Sequence, residues 1–266
     1  NVALTPYTDQ YFRGFDNNFP DYYRFKEWER EFNANYAKGG LPSLSLVRLM
    51  HDHTGSFGTA IDLVNTPETQ EADNDYAVGL LVQKIAKSIY RNNTLIFVIE
   101  DDAQDGADHV DSHRTIAFVA GAYVKRHTLV HTQYNTLDFL RTMEEVLGLS
   151  QMNLNDALAK PMADIFFKQP HQWNFVAKPS AYLYGTMLPL PPRPKGMVVL
   201  KSTHDSRYWA RVTKGMDFSD ADRVDFAVYN RILWKGTMGN RPYPTEPTHR
   251  RSPQQNTVLK QKADVD

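Results

Sequence analysis

Residues 94–99, Thr-Leu-Ile-Phe-Val-Ile, form an unbroken apolar and β-branched run that ends against three consecutive acids, Glu100, Asp101 and Asp102. Such a run predicts a buried strand. Asp105, Asp108, His109, Asp111 and His113 all follow within eleven residues of Asp102. A strand that delivers carboxylates and imidazoles at its C-terminal end matches the place where open α/β sheets hold ligands and metals. The feature therefore points to a layered α/β fold and to a hydrolytic metal centre.

The flanking pattern agrees. Residues 43–50 predict a second strand, with Leu44, Leu46 and Met50 on one face, Val47 and Leu49 on the other, and Arg48 as an interruption. Apolar residues on both faces indicate a strand covered on both sides. Residues 22–36 place Phe25, Trp28, Phe32 and Tyr36 at helical spacing before Gly39-Gly40. That stripe reads as a core face rather than a binding surface. A helix is predicted over 75–89, capped by Asp73 or Asn74, with Val78, Leu81, Val82 and Ile85 on one face. A short strand follows at 116–120. A further helix runs from Asn135 or Thr136 through Val146 and is stopped by Gly148. Alternating strands and helices predict helices layered over a sheet.

Beyond this region the character changes. Residues 189–194 (PLPPRP) predict an extended polyproline segment, residues 223–234 a helix, and residues from Gly239 onward a polar, charged tail. The expected organisation is a domain over 1–187 and a Pro-rich extension over 188–266. A chain of 266 residues holds one large domain, or one domain with an extension. Its formal net charge of −1 gives no global footprint for nucleic acid. No apolar run is long enough to span a bilayer. With no cysteine, any metal must be held by nitrogen and oxygen alone. The absence of thiols also fits a periplasmic or extracellular protein. The chain opens on Asn1 without an initiator Met or a signal-peptide pattern. A removed leader, or a piece of something longer, is expected.

A site assembled from two strand ends would unite Asp52 and His53, after the first strand, with Asp101 and Asp102, after the second. Carboxylates and imidazole suit Zn, Mn, Fe or Mg, with Ca also open. Each residue taken singly is ordinary in a solvated acidic loop; their joint placement favours a metal. His109 and His131 are candidates for substrate binding or proton transfer. Arg114 suits a bidentate clamp on a phosphate oxygen, or equally an ion pair with Asp111.

The motifs NTLIFVIEDD, DHVDSHR and TIAFVAGAYVK resemble the C-terminal half of the alkaline phosphatase superfamily. LVRLMHDHTG, EADNDYAVGLLVQKIAKS, YNTLDFLRTMEEVLGL and AKPMADIFF add to this. Within that superfamily they are similar to bacterial phosphoesterases of the phospholipase C and acid phosphatase type. The resemblance covers about residues 41–167, and VDFAVYNRILWKG more loosely. It implies a three-layer sandwich with a mainly parallel central sheet, present here only as its C-terminal portion, and two divalent metal ions flanking a phosphate ester. Asp101 and Asp102 match the ligands of one ion; Asp102 stands where the family often has His, which suggests a metal harder than zinc. Asp52 and His113 match ligands of the other. A further family histidine falls at Ser56, which leaves His53 as its substitute.

The resemblance also implies a Ser or Thr nucleophile and another metal-binding acid N-terminal to the matched region. Thr5 and Thr8 lack the strand-end setting that activates a nucleophile. The expected function is a metal-dependent phosphoric ester hydrolase whose nucleophile comes from a missing N-terminal segment or a partner chain. The alternative is a non-catalytic assembly subunit that retains the fold. A sulfatase or phosphoglycerate mutase, which share the metal geometry, ranks lower.

Overall fold

The computed structural model describes residues 2–100, 115–221 and 223–244. Among these, six α-helices and two strands follow in the order α1 (Asp21–Glu31), α2 (Pro67–Ala86), β1 (Leu95–Ile99), β2 (Ala117–Gly121), α3 (Thr136–Leu147), α4 (Leu154–Leu158), α5 (Ser206–Val212) and α6 (Phe226–Met238). The expected sandwich around a mainly parallel sheet does not form. β1 and β2 pair antiparallel, Leu95 opposite Gly121 and Ile99 opposite Ala117, and no other described strand joins them.

Residues 43–50, expected as a strand, join no ladder. The amide of Met50 donates to both oxygens of the Asp21 carboxylate, at 2.9 and 3.1 Å, and that of His51 donates to Oδ2 at 2.8 Å. A carboxylate from α1 has thus taken donors that a neighbouring strand would have used. Leu44 and Leu46 remain exposed.

Helix α1 begins on the Asp21 carboxylate side of this contact and continues through a π-helical turn, Phe32–Tyr36. Phe32 packs there with Val82, Ile85 and Ala86 of α2, and with Tyr90, Ala122 and Trp173. Helix α2 starts eight residues earlier than its apolar spacing indicated. Thr66 accepts from the Thr69 amide, the Thr69 hydroxyl accepts from the Thr66 amide, and Pro67 takes the first turn, where its missing N–H costs nothing. Asp73, expected as a cap, is instead buried mid-helix.

The hairpin is covered by α3, where Phe139 meets Phe97 and Val119. Asn135 caps α3, and Gly148, in the left-handed region at φ +68°, ends it. Residues past 187 pack back on the earlier chain. Leu188 joins Val64, Ala72, Tyr76 and Leu183, while Trp209 and Tyr229 enclose Phe57. No helix among the described residues is long and apolar enough to cross a membrane.

Candidate metal centre

The loop that follows residue 50 is fixed to α2 by two side chains of one helical face, Gln70 and Asp73. Gln70 accepts from the Gly55 amide at 2.9 Å and donates to the Gly55 carbonyl at 2.8 Å. Asp73 accepts from the amides of Asp21 at 2.6 Å and Tyr22 at 3.1 Å, and meets His51 Nδ1 at 2.7 Å. Thr66 caps the same helix one turn before Gln70. The loop backbone is therefore held on both sides of Asp52 and His53.

Asp21, His51 and Asp73 are fully buried, and one ligand atom of each lies within 4.8 Å of the others. Their lone pairs are already used by protein. Asp21 accepts from the Met50 and His51 amides, from Asn74 and from Arg24, whose guanidinium also donates to four main-chain carbonyls. His51 presents Nδ1 to Asp73 and Nε2 to the Asn17 carbonyl at 3.3 Å, so both ring nitrogens face acceptors and both carry protons. Burial alone would push the His51 pKa down; the Asp73 hydrogen bond and the Asp21 charge overcome this and hold it up. The trio is a closed polar network that serves as an anchor.

The open site lies one residue further on. Asp52, His53, Glu71 and Glu100 line a cavity of about 180 Å³, with Thr54 and Tyr229 in its wall. No Lys or Arg lines it among the described residues. Asp52 Oδ1 is buried without a hydrogen-bond partner among the described residues, and Oδ2 lies 3.8 Å from His53 Nε2. Burial pushes the Asp52 carboxyl up against the opposing effect of His53. Glu71 is pushed up to about 8, first by burial and then by the charges of Asp52 and Glu100. Glu71 is nonetheless exposed, so water screens part of the repulsion. Glu100 accepts from the Thr115 hydroxyl at 2.8 Å. The Thr54 hydroxyl lies 2.8 Å from the Tyr229 hydroxyl, which itself donates to the Thr54 carbonyl at 2.8 Å. The Thr54 proton is thereby committed to Tyr229.

Of the residues expected from sequence, Asp52 and His53 come together here, beside the acid that directly precedes Asp101. Asp101, Asp102, His109, His113 and Arg114 lie outside the described residues. His131 is exposed on the segment before α3 and does not line the cavity. Glu71 was missed, as were the anchoring roles of Asp21, His51 and Asp73. A signal for the anchor is present in the sequence: Thr66, Gln70 and Asp73 recur at helical spacing, and the structure buries that polar face. No protein-family model matches the chain, and neither does any curated protein or solved structure.

Proposed function

We propose that this chain carries the metal-binding part of a phosphoric ester hydrolase centre. The carrying observation is the convergence of Asp52, His53, Glu71 and Glu100 on one cavity that no Lys or Arg lines among the described residues. Carboxylates gathered in this way repel one another, and a divalent cation removes the repulsion. The donor set of oxygen and imidazole nitrogen fits Mg, Mn, Ca, Fe or Zn. Asp52, His53, Glu71 and Glu100 would hold one ion, which the resemblance also gives His113, with Asp101 and Asp102 left for a second. When bound, the ions neutralise charge on the phosphoryl oxygens and lower the nucleophile's pKa.

The chain's own residues do the rest. Gln70 and the His51–Asp73 pair keep Asp52 and His53 in place. Thr54 is not poised to attack, because its proton is engaged by Tyr229. The attacking hydroxyl is therefore assigned to a Ser or Thr of a partner segment, in keeping with the phosphoesterase resemblance, and the substrate to a phosphate ester. A cysteine-free chain suits the periplasm or the extracellular space for this role.

The test is metal analysis of the native assembly together with a phosphatase assay. Divalent metal and phosphate release are expected, both lost in Asp52→Asn. Metal-free protein with activity unaffected by Asp52→Asn would sink the reading. Exposed Leu44, Leu46, Ile116 and Phe118 favour a second reading, a non-catalytic assembly subunit that buries them against a partner. Mass spectrometry of the purified assembly separates the two. A co-purifying polypeptide with a reactive Ser or Thr supports the hydrolase; a partner without one, and no hydrolysis, supports the assembly role.

A further inference from the structure

A second hollow has the opposite chemistry. A groove of about 690 Å³ is lined by Lys87, Arg91, Arg126, Gln172, Trp173 and Asn174, without an acidic residue. The cations come from two parts of the chain. Lys87 caps the C-terminus of α2 and Arg91 follows in the next turn, whereas Arg126 lies in the turn after β2. None of the three has an ion-pair partner among the described residues, where such pairs are otherwise frequent. Arg91 Nε is buried and makes no hydrogen bond among the described residues.

The frame around them is fixed. Arg126 Nη2 donates to the Gln172 carbonyl at 2.6 Å, and Trp173 Nε1 donates to the Arg91 carbonyl at 2.8 Å. The turn after α2, the turn after β2 and the 172–174 segment are thus joined to one another. A helix C-terminus favours cations and gives Lys87 and Arg91 an ordinary reason to be there. That reason does not extend to Arg126, nor to a desolvated guanidinium N–H left without an acceptor. Three uncompensated cations repel one another unless an anion joins them. Guanidinium groups present donors in a fork that fits paired oxygens. A carboxylate would neutralise one charge of three, whereas a phosphate monoester dianion neutralises two and offers three oxygens.

We propose that this groove binds a phosphate group, either of a soluble phosphate monoester or of a lipid headgroup, independently of the acidic cavity. The full chain, ¹⁵N-labelled at tryptophan and held in EDTA, is titrated with inorganic phosphate at constant ionic strength. The Trp173 indole N–H signal is followed. A saturable displacement is expected, unchanged in Asp52→Asn and abolished in the triple variant Lys87→Gln, Arg91→Gln, Arg126→Gln. The double variant Lys87→Gln, Arg126→Gln alters only exposed side chains; it keeps the test valid if the triple variant loses its circular dichroism, and is expected to weaken binding at least tenfold. A parallel arm uses phosphatidylcholine vesicles with and without phosphatidic acid. Co-sedimentation that requires phosphatidic acid and the three cations assigns the headgroup. A phosphate response without co-sedimentation assigns the soluble anion. No saturable response in either arm, or a response that survives removal of the cations, overturns the proposal.

Discussion

His51 Nδ1 meets Asp73 Oδ2 at 2.7 Å in a setting sealed from solvent. This contact links two positions that matter for chemistry, because Asp52 follows His51 directly and Glu71 lies two residues before Asp73. The buried pair therefore sets how the loop acid and the helix acid face each other across the cavity. Removing the imidazole leaves the buried Asp73 carboxylate without its hydrogen-bonded cation, while the Asn17 carbonyl keeps only the Gln70 amide at 3.2 Å. Truncating one partner of a buried pair costs about 3–5 kcal/mol. His51→Ala is expected to lower the stability of the metal-free chain by that amount in urea denaturation; a loss below about 1 kcal/mol would show that the pair is no anchor.

The same neighbourhood fixes the direction of the pH dependence. The His51 pKa is raised above its ordinary 6.5, so its contribution is full below that value and is lost as pH rises through the folded pKa. The Glu71 carboxyl is raised from 4.5 to about 8, so the folded state holds a proton over that window which the unfolded chain has released. Both effects act in one sense. Stability of the metal-free chain is expected to fall between pH 5 and 8, as measured by chemical denaturation in EDTA. Glu71→Gln is expected to make that fall shallower, and to be more stable than the parent at pH 8 but not at pH 5. An unchanged slope in the variant would refute the repulsion assigned to Glu71.

Asp52→Asn separates metal binding from folding. Its carboxylate is raised by burial and has an oxygen without a partner among the described residues, so neutralising it relieves the metal-free protein. The variant is expected to melt at the same temperature as the parent in EDTA, or slightly higher. The parent should be stabilised by Mn or Mg, by about 2.7 kcal/mol at a hundredfold excess over Kd, and the variant should not. Equal stabilisation of both would place the ion elsewhere.

Helices α1, α3 and α6 and the strand at 94–99 were readable because their signals are local; the short helices α4 and α5 were not expected. The apolar run 94–99 became β1 nearly residue for residue, and the Asn135 side chain and the left-handed backbone of Gly148 bound α3 as expected. The sheet was not readable. Whether residues 43–50 join a ladder depends on Asp21, far away in sequence, taking the amides of Met50 and His51, and no periodicity records that. The N-terminal turns of α2 were missed for a different reason. Their apolar spacing is absent because the buried face there is polar, with Gln70 and Asp73 in place of aliphatic residues. The Thr66-Pro67 start was the surviving local sign. Asp52 and His53 were singled out from their position after an apolar run, and both line the cavity. Glu71 escaped because one acid on a helix is unremarked until the fold sets two others beside it.

Gly236 tests the wall of the cavity. It lies inside α6, the helix that also supplies Tyr229, and propensity alone predicts that Ala would stabilise it by about 1 kcal/mol. Packing predicts the reverse. A Cβ at this position would run into the ring of Trp209, which is fully buried against Phe57 and Tyr229. Overpacking of this kind costs about 1–3 kcal/mol, so the clash outweighs the propensity gain or at least cancels it. Gly236→Ala is expected to lower Tm, and to lower it less when Trp209→Phe has already removed the larger ring. A double-mutant cycle reads that coupling directly. Additive effects would mean that α6 shifts as a unit and leaves the Trp209 contact behind. Tyr229 would then also release Thr54, and the cavity would lose the wall that pins its hydroxyl.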